Sequence, residues 1–185
     1  MRIFILALAA LLLADGARAD GDAVAHADTA VGFFDRTCLK HFRDHDGLKR
    51  KVGEGGEWFL PVMKGGLEQV FLGAAPGQAW LLRKDQGTFA LALRDDGTCS
   101  VFARRADEIR TLEALERLFK GGFFTATEVD SDHQTVFTRR YYAIRAGAET
   151  LNLVVSTTRE PKAQFQAAFS LSAPGQPPQP PVVAK

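Results

Sequence analysis

Little is in excess in this 185-residue sequence, and its shortages exclude several kinds of protein. Neither sign of charge prevails, since 23 Lys and Arg face 22 Asp and Glu for a formal net charge of +1. A nucleic-acid or anionic-membrane binder usually carries a basic surplus, so neither partner is expected. No apolar stretch approaches the ~20 residues that a helix needs to cross a bilayer. The longest runs only from Ile3 to Leu13, so no membrane span is expected in the mature chain. No repeat of solenoid period is evident, and strands do not alternate with helices as in a parallel sheet. The remaining profile, 46% hydrophobic and 24% charged, suits a globular domain and excludes disordered, collagen-like and coiled-coil chains.

The apolar run lies at the start of the chain, between a short positive end (Met1, Arg2) and Ala17-Arg18-Ala19, which puts small residues at the −3 and −1 positions of a signal-peptidase site. The pattern predicts a signal peptide over residues 1–19, cleavage before Asp20 and a periplasmic or secreted protein. Cleavage would remove Arg2, Arg18 and Asp15, lowering the basic count from 23 to 21 and the acidic count from 22 to 21. Asp20, not a cysteine, stands directly after the cleavage point, so lipid anchoring is not indicated. Cys38 and Cys99 are the only cysteines. In an oxidising compartment they are expected to pair, although two buried free thiols behaving as small apolar residues would give the same sequence.

Residues 20–27 read as a flexible leader, 28–172 as one α+β domain and 173–185 as a Pro-rich disordered tail holding five of the eight prolines. Val31, Phe34, Cys38, Phe42 and His45 recur at helical spacing, which predicts a helix from an Asp28 cap to Gly47. Residues 57–77 read as a connecting layer packed on a sheet. Period-two patterns predict strands over 78–84, 88–94 and 98–103, with Asp95-Asp96-Gly97 as a hairpin turn. Ala106 to Phe119 reads as an amphipathic helix with Ile109, Leu112, Leu115 and Phe119 inward. Further strands are expected over 124–129, 135–144, 151–157 and 164–172, with Asp130 to His133 as a turn. In the last strand Phe165, Ala167, Phe169 and Leu171 face in, and Ala168, Ser170 and Ser172 face water. The expected architecture is an antiparallel sheet of about six to seven strands, packed by an N-terminal helix and a middle helix and stapled by one disulfide.

Catalytic signatures are scarce. Gly-x-Ser-x-Gly is absent, and the glycines at 53–56 lack the spacing and lysine of a phosphate loop. The carboxylate pairs Asp44/Asp46, Asp95/Asp96 and Asp130/Asp132 fall where Asp caps turns and helix ends. Asp130-Ser131-Asp132 resembles the start of a calcium loop, but Thr135 and Tyr141 stand where its glycine and glutamate belong. His41 and His45 share a helical face with Cys38, a weak metal-ligand pattern that a disulfide would undo. No cofactor is expected. The densest binding chemistry is Arg139-Arg140-Tyr141-Tyr142, which holds both tyrosines of the chain on a predicted strand.

The segments Phe33-Phe34-Asp35-Arg36-Thr37-Cys38-Leu39, Phe71-Leu72-Gly73, Gly77-Gln78-Ala79-Trp80, Asp96-Gly97-Thr98-Cys99-Ser100-Val101-Phe102 and Tyr141-Tyr142 together resemble a group of small exported proteobacterial proteins of unknown function. That resemblance implies a compartment and no activity. The reading is a non-enzymatic envelope module that binds a protein or small ligand through its sheet. The alternatives are an envelope hydrolase with a scattered site and a metal binder using His41 and His45.

Overall fold

The computed structural model describes residues 21–84, 87–134 and 136–174. The expected signal peptide and all but the first two residues of the expected tail lie outside the described residues. The chain folds as α+β. A seven-stranded antiparallel sheet is built from β1 (Gly77–Lys84), β2 (Gly87–Arg94), β3 (Cys99–Ala103), β4 (Thr125–His133), β5 (Thr138–Ala146), β6 (Glu149–Thr157) and β7 (Ala167–Ser172). Its order is β1-β2-β3-β7-β6-β5-β4, two meanders joined where the last strand returns beside the third. Gly97, at φ 88°, makes the turn between β2 and β3, and Asp96 Oδ1 accepts the Thr98 amide at 2.8 Å. Side-chain capping at a glycine turn is the reason Asp-Gly reads as a hairpin.

Helices cover one face. The first, α1, is helical over 21–34, so the leader expected over 20–27 is helical from residue 21. Its alanines favour helix, and His26 and Ala27 are already buried, His26 edge-on to Phe89 with ring centroids 5.8 Å apart. From Asp35 to Leu39 the helix widens to a π turn, in which the Lys40 amide bonds to the Asp35 carbonyl at 3.0 Å. It does not continue to Gly47. Asp44 instead caps a second helix, α2 (His45–Val52), by accepting the Gly47 amide at 2.8 Å. A Cβ at Gly47 would lie 1.9 Å from that carboxylate, so the glycine lets the cap fold over the helix rather than ending it.

The short α3 (Gln69–Leu72) lies in the connecting layer, and α4 (Glu108–Lys120) follows the third strand. Asp107 caps α4 by accepting the Arg110 amide at 2.7 Å. Thr111, Ala114 and Leu115 are its buried positions, whereas Ile109, expected inward, is 56% exposed. Asp28 of α1 takes Arg110 at 2.8 Å and Arg117 at 3.1 Å, exposed pairs that orient α4 against α1 more than they stabilise it.

The main core lies between these helices and one sheet face, where Phe34, Trp80, Phe89, Leu91, Val101, Leu153, Val155 and Phe169 meet. Cys38 in the π turn and Cys99 at the start of β3 are bonded to each other, their Cα atoms 5.4 Å apart. The staple therefore holds the end of α1 against the central strands, as expected.

The opposite face is not simply wet. Residues 63–72 pack on it and bring Leu72, Phe71 and Met63 against Ala79, Ala90, Ala92, Phe102 and Ala168. Phe165 precedes β7 and joins this second core, its ring 5.2 Å from that of Phe102, instead of sharing the Phe169 face. Ala168, Ser170 and Ser172 are accordingly buried, and the Ser170 hydroxyl bonds with that of Ser100 at 2.8 Å. The same layer closes one sheet edge. The Met63 amide bonds to the Ala79 carbonyl at 2.8 Å and the Leu81 amide to the Pro61 carbonyl at 3.0 Å.

Candidate functional site

The Arg-Arg-Tyr-Tyr segment lies in β5, next to the edge strand, and alternation divides it between the two sheet faces. Arg140 and Tyr142 face the helices. Arg140 Nη1 is 3.0 Å from Glu128 Oε2, and Tyr142 packs beside Phe119 at a centroid distance of 6.0 Å. Burial first, and the Glu128 carboxylate second, push the Tyr142 phenol above its ordinary value. It is therefore a neutral hydroxyl wedged under the helices, not a free contact.

Arg139 and Tyr141 point the other way. The Arg139 guanidinium lies 4.3 Å from the Phe137 ring centroid, and its buried Nε has no hydrogen-bond partner among the described residues. In register across the strand pair stand Asp132 opposite Arg139 and Asp130 opposite Tyr141. Neither carboxylate forms an ion pair with a described residue. Asp130 Oδ1 accepts the Ser131 amide, and Asp132 Oδ2 accepts the Gln134 side-chain amide, each at 2.8 Å.

These aspartates lie on a strand, not in the turn expected over 130–133. β4 runs on to His133, and the chain reverses one step later, where the Gln134 amide meets the Phe137 carbonyl. Aspartate disfavours strands in general, which is why the segment reads as a turn, but an exposed edge tolerates it. Val129, 63% exposed, sits where the register shifts between Glu128 and Asp130.

The two candidate metal ligands do not come together around an ion site. Cys38 is consumed by the disulfide. His41 packs edge-on to Trp58 at 6.2 Å, with Lys51 Nζ 5.0 Å over the same ring. His45 lines a cleft of about 260 Å³ with Phe42, Gly97 and Glu149. Arg43 holds Glu149 Oε1 there through Nε at 3.1 Å and Nη2 at 3.0 Å. Among the described residues no group of three or more His, Cys, Asp or Glu is placed to hold a metal ion.

The histidines instead carry a pH prediction. Burial lowers both below 6.5, helped by Lys51 at His41 and by Lys49 at His45, while Asp44 and, at His45, Asp46 oppose it. The unfolded chain then takes up protons first on acidification. Their contribution to stability is complete above 6.5 and is lost as pH falls through the lowered native values. Thermal melts should show stability falling below that pH, with a shallower slope in His45→Gln. An unchanged slope would contradict the burial of His45.

A larger cleft of about 450 Å³ opens beside the start of β5, lined by Glu108, Gln134, Phe137, Thr157, Arg159 and Pro161 among others. Of its two carboxylates, Glu108 accepts Thr157 Oγ1 at 3.0 Å and Arg159 Nε at 2.6 Å, and Glu160 Oε1 accepts the Lys162 amide at 3.1 Å. No protein-family model matches this chain, and neither a curated protein nor a solved structure matches it.

Proposed function

We propose that the protein is exported, loses residues 1–19 and serves in the cell envelope as a non-enzymatic module that binds a protein ligand through Arg139 and Tyr141. The observation that carries this reading is their placement. They share the side of β5 turned away from α1 and α4, beside an acidic edge strand. Tyr and Arg supply much of the energy of protein interfaces because each joins a large contact area to a polar handle. The closed Cys38–Cys99 bond fits a compartment in which thiols are oxidised.

The test immobilises the mature, oxidised protein and exposes it to an envelope extract. Arg139→Ala with Tyr141→Ala should reduce the captured protein by about tenfold or more, as loss of an interface hot spot does. Ile109→Ala, on the far surface of α4, should leave it unchanged. Equal capture by the wild type and the β5 double variant would overturn the reading. Intact mass should place the start of the exported chain at Asp20.

A further inference from the structure

The two sheet edges differ. Residues 61–63 cover the outer side of β1, whereas among the described residues β4 pairs with β5 alone. β4 is nine residues long, and seven of them are exposed. An uncovered strand presents unpaired backbone donors and acceptors to any extended chain that approaches it, here interrupted at the register shift between Glu128 and Asp130 and at the Ser131 amide, which Asp130 Oδ1 holds at 2.8 Å.

The side chains restrict which chain that is. β4 carries Glu128, Asp130 and Asp132 and no Lys or Arg. Arg140 answers Glu128, while the two aspartates make no ion pair with described residues. A second copy pairing antiparallel through β4 would set carboxylates against carboxylates, and like charges facing across strands are unfavourable. The same charges favour a strand with Lys or Arg on its matching positions.

The beginning of β4 adds an apolar feature. Phe124 leads directly into Thr125, and it lines a cleft of about 590 Å³ with Leu39, Phe42, Leu118 and Phe123. Phe123 is 99% exposed, a large apolar surface that an acidic guard on the edge does not require. A segment pairing antiparallel with β4 would bring its C-terminal end to this cleft.

We infer that β4 accepts a basic, extended segment of a partner protein as an eighth strand, with a large apolar side chain near the segment's C-terminal end seated beside Phe123. This inference rests on the reading of the protein as an interaction module, and it names the partner's chemistry. Main-chain bonds would supply affinity, and the alternating Lys or Arg and the apolar end would supply specificity.

The probe is a fluorescent nine-residue peptide, the length of β4, that alternates Lys and Val and ends in Phe. Binding to the mature, oxidised protein is followed by anisotropy at physiological salt. The inference expects saturable binding that weakens about tenfold or more when alternate peptide nitrogens are methylated, which keeps the charge and removes backbone donors. Replacing each peptide Lys by Glu should weaken it at least as much. Asp130→Lys with Asp132→Lys should do the same from the protein side, and the methylated peptide keeps the test decisive if that variant fails to fold. Equal binding of the methylated peptide, or no saturable binding of the parent peptide, would overturn the inference. Should the parent peptide fail while Arg139→Ala with Tyr141→Ala still abolishes capture of the envelope protein, the edge pairing falls and the binding module stands.

Discussion

Reduction of the Cys38–Cys99 bond is expected to lower unfolding stability by about 4 kcal/mol. The bond spans 61 residues, and closing a loop of that size removes entropy from the unfolded chain that reduction restores. For a domain of this size the loss corresponds to a fall in Tm of about 8–16 °C. The double variant Cys38→Ala with Cys99→Ala should reproduce most of it without reductant. Because Cys38 lies in the π turn that ends α1, amides from Asp35 to Val52 should exchange faster in the reduced protein. Intact mass should rise by two hydrogens on reduction. Melts that coincide with and without reductant would show that the staple does not hold the domain.

Phe169→Ala should have an effect of the same order. Phe169 is fully buried on β7, stacks on Phe34 of α1 with ring centroids 5.2 Å apart, and stands in register with Val101 and Val155 on the two flanking strands. Truncation removes its transfer energy and leaves a cavity that strands on both sides prevent from collapsing, at a cost of about 3–5 kcal/mol. Ile109→Ala makes the comparison informative. Helical periodicity places Ile109 inward, but it is largely exposed, so its truncation should change stability by less than about 0.5 kcal/mol. Urea unfolding of the two variants distinguishes the placements. A large loss at Ile109 would put the buried face of α4 elsewhere.

That contrast shows where the sequence is readable. Alternation along β2 and the Asp-Gly turn before β3 report local geometry, and these elements form where expected, whereas β7 starts three residues later than its alternation suggests and is buried on both faces. Helical spacing also marks Val31, Phe34 and Cys38 as one buried stripe, but it cannot register the π turn after Phe34 or the way the Asp44 carboxylate begins a new helix over Gly47. Phe165 shows another limit. It continues the Phe169 period by number, yet the strand starts only at Ala167, and Phe165 turns to the second core formed with Phe71 and Phe102.

The candidate site was half legible. Arg139 to Tyr142 stand out by composition, and alternation separates Arg139 and Tyr141 from Arg140 and Tyr142. Which pair the helices cover depends on the packing of Phe119 and the position of Glu128, both set by tertiary structure. The acidic partner strand was hidden because Asp130 and Asp132 carry the chemistry of a turn, and only the long-range pairing with β5 makes them an edge.

Photocrosslinking in intact cells tests the binding role most directly. With p-benzoylphenylalanine in place of Tyr141 in the full, exported chain, the account predicts a discrete protein adduct in the envelope fraction. The same probe in place of Ile109 should give no such adduct. No adduct at Tyr141, or the same adduct at both positions, would contradict binding through this face of β5.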